Sequence, residues 1–218
     1  LYYFGRAMVE TLEYLDKNSE HYTDIVVALD RALYFVHWED TDFYESIDKA
    51  LAVLQDELER LGKNTAVTVN VVGHTHIDVA WMWRLKHTRE KAQRSFSTVL
   101  HLMDRDDSYI FQQGQPQLYQ FIKENCPKLY DRIKEKIAQG KWEPDGGMWV
   151  EADCNISSGE SLTRQILHGS RFFEREFGKK STYLWLPDVF GYSWALPQIL
   201  KQCEINTFMT TKISRNQY

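Results

Sequence analysis

The sequence is poor in cysteine, with three in 218 residues: Cys126, Cys154 and Cys203. They are odd in number, far apart and form no CxxC pair, so neither a disulfide framework nor a zinc knuckle is expected. Reduced thiols of a cytoplasmic protein are the plain reading. Positive charge is also short: 26 Lys and Arg stand against 31 Asp and Glu, for a net charge of −5. Sequence-independent nucleic-acid binding needs a clustered basic surface, so nucleic acid is excluded as a partner. No apolar run approaches the ~20 residues that a membrane crossing needs, and no charged-apolar-small signal segment opens the chain. Internal repeats and low-complexity stretches are absent.

What is present suits a folded α/β protein. Hydrophobic residues make up 43% and aromatic residues 14%, enough for a core and for flat faces that a sugar ring can stack on. The length fits one domain, or one domain with a helical appendage. The chain opens on Leu1 rather than Met and stops at Tyr218 just after a strand-like stretch, so it reads as a piece of a longer polypeptide.

Two regions differ in pattern. Residues 1–63 read as helical: Tyr44, Ile47, Leu51, Leu54, Leu58 and Leu61 recur at steps of three and four. Asp42 followed by Glu45 resembles a capping box, and Gly62 is placed to close that helix. These helices suit packing or subunit contact in a homo-oligomer. Residues 64–218 alternate strand and helix signals, which implies a mainly parallel sheet built of βα units, barrel-like in character. Strands are expected over Ala66–Val72, Tyr109–Phe111, Trp142–Val150, Tyr183–Leu186 and Thr207–Thr210. Helices are expected over Arg89–Met103, Pro116–Lys123, Pro127–Gln139, Gly159–Phe177 and Trp194–Gln202. Proline at the first turn costs nothing, because its missing N–H has no helical partner there.

Ligands of such sheets gather at the carboxyl ends of the strands, and three strand ends carry chemistry. After the first comes Gly73-His74-Thr75-His76-Ile77-Asp78. Side chains alternate along an extended segment, so His74, His76 and Asp78 can face one way, and imidazole and carboxylate are both good zinc ligands. A polar loop with hydrogen-bonded histidines is the plainer reading of the same run. Trp81 follows as a candidate sugar platform, whereas Trp83 suits packing. After the strand near Trp185, Asp188 precedes the next helix by too many residues to cap it, and Ser193 is the better cap. A carboxylate at Asp188 can bind metal or act as a nucleophile, and a neighbouring divalent cation favours its ionised form. The third end, Gly146-Gly147, lets the backbone turn sharply or approach a ligand. It is followed by Glu151, Asp153 and Asn155, which suit sugar hydroxyls or an ordinary polar loop. Ser157–Glu160 resembles a helix start. The remaining histidines, His21, His37, His87, His101 and His168, lie on helical stretches and suit surface or packing positions.

Together, GHTHIDVAWMWR, GGMWVEADCNISSGESLTRQ and WLPDVFGYSWALPQIL, in that order, resemble the N-terminal catalytic domain of the glycoside hydrolase family 38 α-mannosidases. The resemblance covers about Val67–Lys212. Ile77-Asp78-Val79-Ala80 is more similar to the bacterial and cytosolic branch than to the Golgi and lysosomal one. It implies a zinc-dependent retaining mannosidase acting on α-mannoside oligosaccharides. In it, His76, Asp78 and Asp188 bind Zn2+, Asp188 is also the nucleophile, and Trp81 and Phe190 line the sugar subsite. His74 is not a ligand in that family. The family's remaining zinc His and its general acid/base Asp match no residue of this chain. Two other readings stay open: a metal-dependent carbohydrate deacetylase, and a sugar-binding or inert module.

Overall fold

The computed structural model describes residues 1–62 and 69–215. These residues divide into two compact units, Leu1–Val69 and Asn70–Tyr218.

The first unit is three helices: α1 (Tyr2–Leu12), α2 (Glu20–Tyr34) and α3 (Phe43–Leu61). Met8, Ile25, Ala28, Ala32 and Leu54 form its core. Ser19 starts α2 by accepting the Tyr22 N–H, one of the donors a helix start leaves orphaned. The apolar stripe read for α3 overlaps the buried face in part: Leu54 is in the core, and Leu58 and Leu61 pack against it. Ser46, Ala50, Leu54 and Glu57 are buried, while Tyr44 is exposed. Ser46 is tolerated there because its hydroxyl accepts the His37 N–H and donates to the Phe43 carbonyl. Glu57 is held by Arg31 and Arg60. The expected capping box is not formed. Asp42 stands at the N-cap without a capping bond, because its carboxylate pairs with His37 instead. Gly62 does end α3, with φ of 73°.

The second unit runs β1 (Gly73–His74), α4 (Leu85–Arg105), β2 (Phe111–Gln112), α5 (Pro116–Asn125), α6 (Pro127–Ala138), β3 (Trp142–Glu143), α7 (Gly159–Phe177), β4 (Tyr183–Trp185), α8 (Leu196–Gln202), β5 (Thr207–Met209) and a 3-10 turn at Lys212–Arg215. All strand pairs are parallel, in sheets of order β1-β2-β3 and β4-β5. Helices connect each strand to the next, as parallel pairing requires. The described residues thus form small parallel sheets in a mixed α/β fold.

Ala66–Val72 is not the observed strand. Its first part lies outside the described residues, Val69–Val72 is irregular, and the ladder begins at Gly73. The strand expected over Trp142–Val150 stops at Glu143. The reason is steric. A Cβ on Gly114 would lie 2.9 Å from the Gly146 Cα, so these two backbones touch where the strand would have continued. Gly147 then turns with φ of 82°, a region that favours glycine. The Asp145 carboxylate secures this corner by accepting the Gly146 N–H at 2.6 Å and the Thr182 N–H and hydroxyl, both at 2.9 Å.

Two cores flank the sheets. Phe96, Phe111, Tyr119, Trp142, Phe172 and Phe173 belong to one, and Leu162, Ile166, Leu184, Leu186 and Ile205 to the other. Tyr119 is fully buried, and its hydroxyl accepts the Trp142 indole N–H at 2.7 Å and donates to the Gln113 carbonyl at 2.8 Å. A polar group so placed costs little because both bonds are made. Helix α7 has the expected bounds, with Ser158 capping its start and Gly178, in the left-handed region at φ of 66°, ending it.

Candidate metal and carboxylate site

The site forms at the carboxyl ends of β1, β3 and β4. Past His74 the backbone has no ladder partner, and two glutamine side chains replace it. Gln113 donates to the Thr75 carbonyl at 2.8 Å and Gln115 to the Ile77 carbonyl at 2.9 Å. Ile77 is buried, which directs His76 and Asp78 to the other side of the segment. Beyond Asp78 the chain reverses through Ala80 and Trp81, with φ of 82° and 61°. Positive φ at two successive non-glycine residues is strained. Thr88 holds the turn: its buried hydroxyl donates to the Asp78 carbonyl and accepts from the Ala80 N–H and the Trp83 indole.

His74 and His76 have different surroundings. The Trp185 indole N–H donates to His74 Nε2 at 3.2 Å, and His74 Nδ1 lies 3.1 Å from the Gln112 carbonyl. Both ring nitrogens are therefore used, one as acceptor and one as donor, which leaves no lone pair for a metal. His76 Nε2 instead lies 3.3 Å from Asp78 Oδ1 and 3.5 Å from Asp188 Oδ2. Its Nδ1 lies 2.9 Å from Glu151 Oε2. Glu151, chiefly by hydrogen bonding, and then the charges of Glu151, Asp78 and Asp188 push the His76 pKa up to about 9, against the opposing effect of burial.

Asp188 follows β4. Leu186 extends the ladder by donating to the Met209 carbonyl, and Thr211 ties down the Pro187 carbonyl. Asp188 caps no helix. The cap position of α8 is Ala195, with Ser193 accepting the Ala195 N–H. The two oxygens of Asp188 face different partners: Oδ2 faces His76, while Oδ1 lies 2.6 Å from Lys212 Nζ. That ammonium also sits 4.5 Å from the centre of the Phe190 ring.

His76, Asp78 and Asp188 each offer a ligand atom within 4.8 Å of the others. Ligands held at about 2.0–2.2 Å in a tetrahedron stand about 3.3–3.6 Å apart, so the 3.3 and 3.5 Å separations around His76 Nε2 suit a small divalent cation. The charges agree. Three carboxylates converge on one imidazole and Lys212 offsets one of them, so a divalent cation that displaces the imidazole's second proton still meets net negative charge. No fourth His, Cys, Asp or Glu joins this trio among the described residues.

The other sequence candidates are distributed as follows. Phe190 and Trp81 are exposed aromatic surfaces, 82% and 70% accessible. Phe190 and Lys212 line a groove of about 930 Å³ with Tyr192, Trp194, Pro197 and Phe208. The Glu151 side chain is only 6% exposed and faces His76 and Gln115. Asp153 is exposed, and its Oδ1 accepts the Asn155 and Ile156 N–H groups, which makes it a turn former. Trp83 is half-buried and outside the core clusters, with its indole donating to Thr88 and Lys91 over its ring. Sequence reading missed Gln115, Trp185 and Lys212, whose places follow from pairings between distant segments.

The family model for the glycosyl hydrolases family 38 N-terminal domain matches residues 66–218. Alpha-mannosidase G of Dictyostelium discoideum is 54% identical over 145 residues, 66% of this chain and 13% of that protein. Alpha-mannosidase 2C1 of Homo sapiens is 46% identical over 155 residues, 71% of this chain and 15% of that protein. The chain therefore spans about a seventh of the length of these curated relatives. Among solved structures, an alpha-mannosidase from Enterococcus faecalis V583 shares the fold with a TM-score of 0.58 at 22% identity, over 64% of this chain and 16% of that one. By its matched domain and its relatives, the chain belongs to glycosyl hydrolase family 38.

Proposed function

We propose that this chain supplies the metal-binding and nucleophilic half of a retaining α-mannosidase site that removes terminal α-mannosyl residues from oligosaccharides. The observation that carries the reading is the division of labour at Asp188, with one oxygen toward His76 and the other toward Lys212 and the groove beside Phe190. Zinc, when bound by His76, Asp78 and Asp188, supplies an anchor for the 2- and 3-hydroxyls of a terminal mannose. Asp188 attacks the anomeric carbon and forms a glycosyl-enzyme, which water then cleaves with retention. Lys212, 2.6 Å from Oδ1, orients the attacking carboxylate. Phe190 and Trp81 offer apolar faces to the sugar ring. The acid that protonates the leaving oxygen is assigned to the part of the relatives' length that this chain does not span. The three cysteines, all free, with the buried Cys154 thiol pushed up to about 12 by desolvation, suit a reducing, cytoplasmic setting.

The test is hydrolysis of an aryl α-mannoside by the full-length protein, with and without a zinc chelator. Activity should vanish with chelator and return with zinc, and Asp188→Asn should lower kcat by about 10³-fold or more, roughly 4 kcal/mol of barrier. Chelator-resistant hydrolysis, or near-normal turnover of that variant, would overturn the reading.

A further inference from the structure

Glu151 is a buried carboxylate that the proposed chemistry does not use. Its side chain is 6% exposed, and its Oε2 lies 2.9 Å from His76 Nδ1. Both atoms are closed to solvent, and neither makes a well-aligned hydrogen bond among the described residues, so the 2.9 Å contact pairs two buried groups that are otherwise unpartnered. The rest of the residue is fixed as firmly. Gln115, itself buried, donates to Glu151 Oε1 at 3.3 Å and accepts the Glu151 N–H at 3.2 Å. The same amide also donates to the Ile77 carbonyl at 2.9 Å, the backbone between His76 and Asp78. One glutamine from the loop after β2 therefore holds the first motif and the third in register.

From this geometry we infer that Glu151, clamped by Gln115, is the positioning residue of His76. When the imidazole gives up a proton to bind metal, Glu151 retains the remaining one on Nδ1, so that the Nε2 lone pair faces Asp78 and Asp188. An imidazole has two tautomers and can rotate about its bond to Cβ. Only one combination presents a lone pair to the carboxylate pair, and an acceptor at Nδ1 selects it. A carboxylate acceptor also makes the imidazole a stronger donor to a metal. His74 lacks this freedom, because a backbone carbonyl and an indole occupy its nitrogens. Glu151 does not reach substrate, since Gln115 engages one of its oxygens and His76 the other.

The inference rests on the metal reading above, and the test separates the two. Zinc affinity of the full-length protein is measured by competition with a fluorescent chelator for wild type, His76→Ala, Glu151→Gln and Glu151→Asp, alongside unfolding of each without metal. His76→Ala should abolish binding at this site. Glu151→Gln conserves shape but can offer an N–H to Nδ1, which selects the wrong tautomer, so affinity should fall about 10–100-fold while the metal-free protein still unfolds in a single cooperative transition. Glu151→Asp keeps the acceptor and should recover part of the loss. If Glu151→Gln binds zinc within twofold of wild type while His76→Ala does not, the positioning role is wrong and the metal site stands. Tighter zinc binding by Glu151→Gln than by Glu151→Asp would make side-chain length, and not the carboxylate acceptor, decisive and would also overturn the role. Wild-type affinity in His76→Ala would overturn the metal site and this inference together.

Discussion

The Trp185 indole donates to His74 Nε2 across 3.2 Å, joining residues 111 apart in sequence at the ends of β1 and β4. This bond separates two histidines that the motif presents as equals. His74 becomes a fastener between strands, and His76, two residues on, keeps a nitrogen facing the carboxylates of Asp78 and Asp188.

Trp185→Phe should therefore cost stability and not metal. The change leaves a partly buried acceptor unpaired, a loss of about 1–2 kcal/mol, read by urea unfolding of the metal-free protein. Zinc content should stay at the wild-type level. Loss of zinc with unaltered stability would place His74 among the ligands instead.

The contact between Gly114 and Gly146 sets a second expectation. A side chain at either position meets the other's backbone, which cannot give as a flexible side chain can. Gly146→Ala should destabilise by about 2 kcal/mol or more, or prevent accumulation of folded protein. A variant as stable as wild type would mean that the two strand ends do not approach as described.

Asp145 gives a pH-dependent expectation. Burial lifts its pKa, and hydrogen bonds from Thr182 and Gly146 only partly offset this. Its folded pKa lies above the unfolded value of about 3.9. Its contribution to stability is therefore complete below that value and is lost as pH rises through the raised folded pKa. Asp145→Asn removes the titration. The unfolding free energy of wild type minus that of the variant should fall as pH rises from about 4 and then level off, in urea unfolding followed to about pH 7. A difference that grows over this range would contradict the cause given for the shift.

Much of this was legible in the sequence because local signals agreed. Gly159–Phe177 has its bounds written in Ser158 and Gly178, and Pro116 and Pro127 mark the starts of α5 and α6. What was not legible depends on partners distant in sequence. The strand after Trp142 ends early because Gly146 meets Gly114, and a pair of glycines does not say what it approaches. Ser46 and Glu57 lie on the buried face of α3 because other residues satisfy them, so an apolar stripe could not include them. At the site, alternation placed His74, His76 and Asp78 on one face, but Trp185 and Gln112 take up the nitrogens of the first. Glu151 had the look of a sugar contact by its spacing. Its partner is His76, and only the fold brings them to 2.9 Å.

The central claim is that Asp188 forms the bond to the sugar. It is tested most directly by incubating the full-length protein with a 5-fluoro mannosyl reagent and locating the label by peptide mass spectrometry. The account expects one covalent glycosyl group on the peptide containing Asp188, formed only when zinc is present and absent from Asp188→Asn. A label on a different carboxylate, or active enzyme that turns over α-mannosides yet never carries a label, would contradict it.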